Sequence, residues 1–213
     1  MSLVTVFTFN PFEENTIVLS VPTGECIIFD PGCYFSKEET ELKTFISDSG
    51  LTPVRLINTH AHLDHIYGND FIYRQYGLLP EMHAGELPVL KAAEQIAQMY
   101  GVPMSAPSPL PEKFIEEGDI ITLGNITLES IFTPGHSPAS LSFYCKEYKF
   151  LIAGDVLFRE SIGRTDLPGG NYETLIRSIK DRLWSLPLET VVYPGHGPST
   201  TIGYEKMHNP FLK

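Results

Sequence analysis

The sequence predicts a mixed α/β (α+β) fold in which two β-sheets are covered by helices, within one domain spanning residues 1–213. Apolar strands occur in blocks with amphipathic helices between the blocks, unlike the regular strand–helix alternation of a parallel sheet. A chain of 213 residues is long enough for a sizeable core, because folding at this length buries about 70% of the unfolded surface.

In the first half of the chain, short runs rich in β-branched and aromatic residues are separated by turn signals. The predicted strands are VTVFTF (4–9), NTIVLSV (15–21), ECIIFD (25–30) and VRLINT (54–59). A capping box of Ser36 and Glu39 predicts the start of a first helix. Two more helices are predicted, one from about Ile66 to Tyr76 and one from about Glu86 to Tyr100, each followed by glycine.

The second half begins with a segment of four prolines, residues 101–113, which we call the Pro-rich segment. Histidine and aspartate residues of the kind that bind metals lie on both sides of it, which predicts a loop within the domain rather than a linker. A helix is predicted from about Asn171 to Trp184, and a short helix near the C-terminus. The predicted strands are DIITL (119–123), NITLESIFT (125–133), SLSFY (140–144), KFLIAGD (149–155) and TVVYPG (190–195).

Composition excludes several classes of partner. The net charge of −11 and the pI of about 5.0 disfavour nucleic acid, which is bound largely through clustered Lys and Arg. Three cysteines without a CxxC pair fit a reducing compartment. The first basic residue is Lys37 and no apolar run approaches about 20 residues, so neither a signal peptide nor a membrane span is predicted. We therefore expect a soluble, cytoplasmic protein that binds neither membranes nor nucleic acid.

Three of the seven histidines and one aspartate fall within the six residues His60-Ala61-His62-Leu63-Asp64-His65. Residues two apart at a strand end point the same way, so His60 and His62 can bind one metal ion. If a helix begins there, Asp64 and His65 turn away and can reach a second ion. A lone histidine is usually a surface or core residue, and the joint pattern is what predicts a metal site.

Two more histidines and an aspartate occupy similar positions later in the chain. The segments TPGHSPAS (133–140) and YPGHGPST (193–200) share one pattern and each follows an apolar strand, which places His136 and His196 in tight loops. Asp155 ends the strand KFLIAGD. Paired metal ions about 3.5–4 Å apart commonly share a bridging oxygen and activate water, so these residues together predict a two-metal site.

HxHxDH followed by distant His, Asp and His resembles the metallo-β-lactamase superfamily, over nearly the whole chain. The resemblance implies a four-layer αββα sandwich with its metals at one edge of the two sheets. It implies Asp64 and Asp155 as catalytic carboxylates. The implied ligands are His60, His62 and His136 for one metal, Asp64, His65 and His196 for the other, and Asp155 as the bridge.

A complete His/Asp ligand set is similar to the glyoxalase II (hydroxyacylglutathione hydrolase) branch, whereas true metallo-β-lactamases typically lack it. The segment SIGRTDLPGGNY (161–172) also resembles that branch, particularly its short bacterial members. The resemblance implies that water activated by two divalent metals hydrolyses a small-molecule substrate, a thioester or related ester. Zinc is the first expectation for the metal, with iron or manganese as alternatives.

The sequence indicates the residues that contact the substrate less clearly than it indicates the metal ligands. Arg164 either touches an anionic substrate or pairs with Asp166 or another structural carboxylate, and Gly163, Gly169 and Gly170 are expected to set turn geometry. Full-length members of the branch carry a C-terminal helical extension that supplies much of the glutathione site. Only 17 residues follow His196, so no separate glutathione-binding domain is expected, and Tyr204 and Lys206 are expected in a plain helix, with substrate binding as the alternative.

Two other functions stay open. Persulfide dioxygenases resemble the chain in the same HxHxDH and GRTD motifs and use a single iron, here held by His60, His136 and Asp155. The other alternative is a non-catalytic protein whose metals hold loops together, although structural zinc is usually four-coordinate and closed.

Overall fold

The computed structural model describes residues 3–213, which form two compact units. The first unit contains the chain up to Met82, Leu87–Phe114 and Leu123–Asn125. The second contains His83–Glu86, Ile115–Thr122 and Ile126–Lys213. Each unit has its own six-stranded sheet and its own helices. The prediction of one domain spanning 1–213 stays a prediction.

The sheet of the first unit has its strands in sequence order, β1 to β6. The first three strands pair antiparallel, and β3, β4, β5 and β6 pair parallel. Parallel strands end at the same edge of a sheet, so the residues after β3 and β4 meet there. The bounds are Val4–Phe9, Glu14–Ser20, Glu25–Phe29, Thr52–Ile57, Pro80–Met82 and Lys113–Phe114.

Four α-helices belong to the first unit. Helix α1 packs Leu42 and Ile46 into an apolar cluster with Ile28 of β3 and Ile72 of α3. Leu42 and Ile46 form the buried face of α1, and packing of such a face is the usual source of helix stability in a globular protein. The helices are α1 Ser36–Asp48, α2 Leu63–Ile66, α3 Asn69–Tyr76 and α4 Leu87–Met99.

The N-terminus of α1 differs from the predicted capping box of Ser36 and Glu39. The N-cap residue is Phe35, and the carboxylate of Glu38 accepts a hydrogen bond from its backbone N–H at 3.0 Å. Glu38 is therefore the acidic residue of the capping box. Glu38 is buried and also accepts from the backbone N–H of Asn10 at 3.0 Å. This long-range hydrogen bond from Asn10 favours Glu38 in the capping box, one position before the predicted Glu39.

The sheet of the second unit has the order β14-β13-β10-β9-β8-β7. Strands β8 and β10 each pair antiparallel with β9, and β13 pairs parallel with β10. Strands β8, β10 and β13 therefore run in one direction and end at the same edge. The bounds are β7 Ile120–Leu123, β8 Ile126–Phe132, β9 Leu141–Cys145, β10 Phe150–Gly154, β13 Val191–Pro194 and β14 Thr200–Thr201; a separate hairpin is formed by β11 Leu157–Phe158 and β12 Ser161–Ile162.

The helix predicted from about Asn171 to Trp184 is present but irregular. Asn171 caps α5, Tyr172–Arg177, which continues as a π-helical turn, Ser178–Arg182, and a 3₁₀ turn, Leu183–Ser185. Its apolar residues Leu175, Ile179 and Leu183 pack in one cluster with residues of β10 and β13. A last helix, α6, spans Ile202–His208.

The mixed α/β class is confirmed, with a sheet and covering helices in each unit. Strands β5, β6, β11, β12 and β14 have only two or three residues each and were not predicted, because so short a run shows no periodicity. Within residues 3–213, no helix is both long enough and apolar enough to cross a lipid bilayer.

Candidate metal centre

In the first unit, the three histidines of the HxHxDH motif lie against one another at the sheet edge. The ring of His60 lies 4.8 Å from that of His62 and 4.1 Å from that of His65, measured between centroids. His60 and His65 are fully buried, and His62 lies one residue before α2. The motif begins after the end of β4 at Ile57 and runs into α2, and the His65 ring lies closer to His60 than the His62 ring does.

Asp30, which follows β3, fixes the proton positions of two of these rings. Its Oδ2 lies 3.1 Å from Nδ1 of His65, and a carboxylate can only accept, so Nδ1 carries the proton. The same Oδ2 accepts from the hydroxyl of Thr59 at 2.6 Å. That hydroxyl lies 3.0 Å from Nδ1 of His60 and can only accept there, since its one proton is used. Both rings therefore present Nε2 as a lone pair.

Asp64 lies in the first turn of α2, with its carboxylate partly exposed. Its Oδ2 is 3.7 Å from Nε2 of His65. The side chain of Asn10 donates to the carbonyl oxygens of Asp64 and Gly32, at 3.0 Å each. Asn10 has a left-handed backbone, φ 56°. It ties the start of α2 to the loop after β3.

A second carboxyl group, that of Glu14, is buried behind His65. Its Oε1 lies 3.9 Å from Nδ1 of His65, and its Oε2 accepts from the hydroxyl of Thr16 at 3.0 Å. Burial raises the pKa of Glu14 well above its ordinary value, and His65 opposes that shift. The protonated form is therefore favoured, which limits negative charge behind the histidines.

Asn58, two residues before His60, begins a buried amide network. Its side chain donates to the carbonyl oxygen of His65 at 2.9 Å, and its Oδ1 accepts from Nδ2 of Asn69 at 2.9 Å. Asn69 also donates to the hydroxyl of Ser108 at 2.8 Å. Ser108 belongs to the Pro-rich segment, which is thereby fastened to the motif. Asn58 and Thr59 therefore both support the motif through hydrogen bonds.

In the second unit, three predicted residues converge after β8, β10 and β13. Oδ2 of Asp155 lies 3.4 Å from Nε2 of His136 and 3.5 Å from Nε2 of His196. The two PGH loops therefore bring their histidines to one carboxylate, as the shared strand direction requires.

The ring of His136 is held by the GRTD segment. Its Nδ1 lies 2.7 Å from the carbonyl oxygen of Arg164, so Nδ1 carries the proton and Nε2 faces Asp155 with a lone pair. This close approach needs Gly163. A Cβ at that position would lie 1.9 Å from the carbonyl oxygen of Asp155 and 3.1 Å from Nδ1 of His136.

Glu86 is a further residue of this unit that supports the site and that was not predicted. It is fully buried, and its Oε1 accepts from the hydroxyl of Ser137 at 2.5 Å and from the backbone N–H of Ala139 at 2.7 Å. These two bonds fix the loop that carries His136. The contact spans about fifty residues, so no local pattern could have indicated it. Asp30, by contrast, directly follows a strand as Asp155 does. The strand-end position that indicated Asp155 could therefore also have indicated Asp30.

Arg164 is exposed and forms a bidentate ion pair with Asp166, at 2.7 Å for each of its two hydrogen bonds. This pairing lowers the pKa of Asp166 to about 2. Of the two roles considered for the Arg164 side chain, the intramolecular pair is the one present here. Its substrate-binding role stays a prediction.

The donor chemistry of both units fits divalent metals. As neutral imidazoles, His65 and His136 would present Nε2 lone pairs to carboxylate oxygens at 3.7 and 3.4 Å, beyond the 2.7–2.9 Å of a charge-assisted hydrogen bond. Two lone-pair atoms repel, so a cation near them is stabilised. Imidazole and carboxylate without thiolate suit zinc, iron or manganese. Asp30, His60 and His65 also form a compact trio, but the hydrogen bonds of Asp30 explain that grouping.

Comparison with known proteins agrees with this chemistry. The probable metallo-hydrolase YqgX of Bacillus subtilis is 40% identical over 205 residues, which cover 95% of this chain and 93% of that protein. The hydroxyacylglutathione hydrolase GloC of Haemophilus influenzae is 34% identical over 211 residues, 98% of this chain and 97% of GloC.

Solved structures give the same fold. The BLEG-1 B3 metallo-β-lactamase superposes with a TM-score of 0.88 at 36% identity, covering 99% of each chain. TTHA1623 in a di-iron-bound form superposes with a TM-score of 0.87 at 37% identity, covering 98% of this chain and all of that one. The family model of the metallo-β-lactamase superfamily matches residues 10–196. The chain therefore belongs to the metallo-β-lactamase superfamily and has its mixed α/β fold.

Proposed function

We propose that this protein is a binuclear metal-dependent hydrolase that cleaves a thioester of the hydroxyacylglutathione type. One observation carries the proposal. Buried acceptors hold the Nδ1 protons of His60, His65 and His136, so these rings are prepared to bind metal through Nε2. A purely structural role for the histidines would not require the same tautomer in all three.

Family membership supports a single metal centre for the seven predicted ligands. Asp155 would be the shared ligand, because its Oδ2 lies 3.4 Å from Nε2 of His136 and 3.5 Å from Nε2 of His196. Zinc is the expected metal, with iron as the alternative that TTHA1623 supports by its di-iron form. The ligands would be His60, His62 and His136 for one ion, and Asp64, His65 and His196 for the other, with Asp155 common to both.

Metal ions in such a centre supply activated water at neutral pH and polarise a carbonyl oxygen. Asp64 is partly exposed whereas Asp155 is buried, so Asp64 is the carboxylate of the two that is more open to solvent. Asp30 keeps His60 and His65 oriented throughout, because its oxygens accept from both sides of the motif. A thioester suits this arrangement, since a thiolate leaves without a dedicated proton donor.

The test uses S-D-lactoylglutathione with protein loaded with zinc and, separately, with iron. We expect the wild type to hydrolyse it, and His62→Ala and Asp155→Ala each to lose at least about a thousandfold in kcat/KM and to bind less metal while staying folded. His83→Gln is the matched control, because His83 pairs with Glu116 outside the ligand set. Retained activity and metal in either ligand variant would overturn the assignment.

A β-lactam serves as the counter-substrate, because one solved relative is a B3 metallo-β-lactamase. Hydrolysis of the β-lactam but not of the thioester by the same loaded protein would contradict the proposed substrate class while leaving the metal centre intact.

A further inference from the structure

The second unit contains an open cleft of about 590 Å³ at one end of β10. Lys149 lines the cleft and precedes β10, whereas the proposed ligand Asp155 directly follows that strand. Ile131, Leu186 and Pro187 give part of the lining an apolar character. Small-molecule sites in proteins have volumes of about 300–1,000 Å³ and combine apolar lining with a few polar groups. The cleft therefore has the size and lining of a ligand site, at the other end of β10 from Asp155.

Tyr144 places a polar group without a hydrogen-bond partner in this cleft. The residue is only 7% exposed and lines the cleft, so the accessible part of its ring faces the cleft. Within residues 3–213, its hydroxyl makes no hydrogen bond, although a buried tyrosine hydroxyl normally has a partner. Lys149 lies nearby, since its ion pair with Glu189 at 2.6 Å raises the pKa of its ammonium and Tyr144 adds to that rise. The Tyr144 hydroxyl can therefore bind a ligand in the cleft.

Charged side chains of both signs line the cleft together with Tyr144. Glu129 on β8 is the direct cross-strand partner of Tyr144, so the two side chains lie on one face of the sheet. Among the residues that the structure describes, Lys146, Glu129 and Asp181 form neither an ion pair nor a side-chain hydrogen bond. A single unpaired charge at a protein surface is ordinary, because water solvates it. Here unpaired charges of both signs share one cleft with an unpaired hydroxyl, which suits a ligand that carries both charges.

Hydrogen bonds and an ion pair hold the walls of the cleft in place. The loop that carries Glu117 and Gly118 is tied to β8, where the carbonyl oxygen of Ser130 accepts from the backbone N–H of Gly118 at 2.9 Å. Ser130 also donates its backbone N–H to the carbonyl oxygen of Asp119 at 3.0 Å. Arg182 pairs with Glu117 and so joins this loop to the π-helical turn. Walls that are fixed before binding lower the entropic cost of holding a ligand.

The π-helical turn Ser178–Arg182 supplies two lining residues, Asp181 and Arg182. Such π turns are rare, and they occur frequently at functional sites. The seven proposed metal ligands include no residue of this turn, so the metal centre does not account for it. A ligand site at the cleft gives the π turn a role.

We infer that this cleft binds a zwitterionic small molecule, a dipeptide with an apolar side chain. Its carboxylate accepts from the Tyr144 hydroxyl and pairs with Lys146, and its ammonium pairs with the carboxylates across the cleft, Glu129 and Asp181. The lining has equal numbers of acidic and basic side chains, which disfavours a ligand that is only an anion or only a cation. The volume of the cleft is sufficient for two amino-acid residues. The inference depends on neither the metal centre nor the proposed hydrolysis.

The first experiment titrates glycyl-leucine into the purified protein by isothermal calorimetry, alongside two analogues that each lack one charge. N-acetylglycyl-leucine has no ammonium, and glycyl-leucinamide has no carboxylate. We expect saturable binding of the dipeptide and at least about tenfold weaker binding of each analogue. No binding of glycyl-leucine up to about 10 mM, or equal binding of all three compounds, would overturn the inference.

Tyr144→Phe removes the hydroxyl and keeps the ring. Because that hydroxyl has no partner in the free protein, the free energy of unfolding should not fall, whereas the affinity for glycyl-leucine should fall about tenfold. Tyr148→Phe is the matched control, because Tyr148 is half exposed in the turn of the same hairpin and does not line the cleft. Glu129→Gln should weaken binding of glycyl-leucine but not of N-acetylglycyl-leucine, which lacks the ammonium. Unchanged affinity in Tyr144→Phe would contradict the site.

Chemical-shift mapping by NMR distinguishes the cleft from the candidate metal residues. Addition of glycyl-leucine should shift the amide signals of residues 129–131, 144–149 and 181–187, which line or adjoin the cleft. Shifts confined to residues 60–65 and 133–136 would place the dipeptide at the metal residues and overturn the inference. Scattered shifts that do not saturate, as expected of a groove that holds only water, would overturn it as well.

Discussion

The carboxylate of Asp30 accepts from the backbone N–H and hydroxyl of Thr59 at 2.7 and 2.6 Å, and lies 3.1 Å from Nδ1 of His65. Through Thr59 it also sets the ring of His60. One buried side chain therefore decides which nitrogen two histidines present. Hydrogen bonds behind metal ligands of this kind fix both tautomer and orientation.

Replacing Asp30 by Asn tests this role. One of its oxygens becomes an N–H₂ group, which cannot accept from Thr59 or His65. We expect metal affinity to fall about 10–100-fold, measured by competition with a chelator of known affinity. Asp70→Asn is the matched control, since Asp70 pairs with Arg74 on the surface of α3. Unchanged affinity in Asp30→Asn would contradict the role.

For individual residues, the spacing of the sequence motifs predicted which histidines lie near strand ends, because each motif follows an apolar strand. Asp30 was predicted only as the last residue of the strand ECIIFD, because the Asp-Pro-Gly that it begins is also a common turn signal. Glu86 and Asn10 act through contacts with residues about fifty positions away. Such pairings depend on the assembled fold and leave no mark in a local pattern.

At the scale of elements, the Pro-rich segment is fastened to the HxHxDH motif. Ser108 accepts from Asn69, which is bonded to Asn58, and the Tyr67 hydroxyl donates to the carbonyl oxygen of Val102 at 3.3 Å. Val102 and Met104 pack beside the cluster that includes Ala61 and Leu63. The segment therefore rests on residues that lie between the proposed ligands.

Asn69→Ala removes the centre of this network. It leaves Asn58 and Ser108 without one hydrogen bond each, so we expect the free energy of unfolding to fall by about 1–3 kcal/mol in urea denaturation. Ser108→Ala releases only the Pro-rich segment, so amide hydrogen exchange should rise within 101–113 and stay unchanged in α2.

Ser105→Ala is the control for the Ser108 variant, because Ser105 is exposed in the same segment. Exchange in 101–113 that is the same in the Ser108 and Ser105 variants would show that the hydrogen bond to Asn69 does not hold the segment.

Elements with clear periodicity were predicted well, including α1 and the stripe of the helix that begins at Tyr172. Its interior π turn, Ser178–Arg182, was not predicted, because an apolar stripe does not distinguish α from π geometry. The capping residue of α1 was predicted one position late, since Glu38 also serves a contact with Asn10.

Across the whole molecule, the three cysteines behave as the composition predicted. Cys26, Cys33 and Cys145 are all buried and free of disulfides. Burial raises the pKa of each thiol, that of Cys26 to about 12. They are therefore neutral core residues at physiological pH, as expected of small apolar side chains.

This shift predicts an alkaline loss of stability. The unfolded chain releases the Cys26 proton near its ordinary pKa of 9.0, whereas the folded chain holds it until about 12. A raised folded-state pKa gives stability that is intact below pH 9 and is lost as pH rises toward 12. Urea unfolding between pH 8 and 11 should show a shallower decline in Cys26→Ala than in the wild type. Identical slopes would contradict the burial of this thiol.

The central proposal is that the chain binds two metal ions through the seven predicted ligands. The most direct test is elemental analysis of the purified protein by mass spectrometry, with the metal-to-chain ratio measured for the wild type and for Asp155→Ala. The account predicts about two metal ions per wild-type chain, as zinc, iron or manganese, and fewer in the variant. A single iron with oxygen uptake on glutathione persulfide, or no metal after loading, would contradict it.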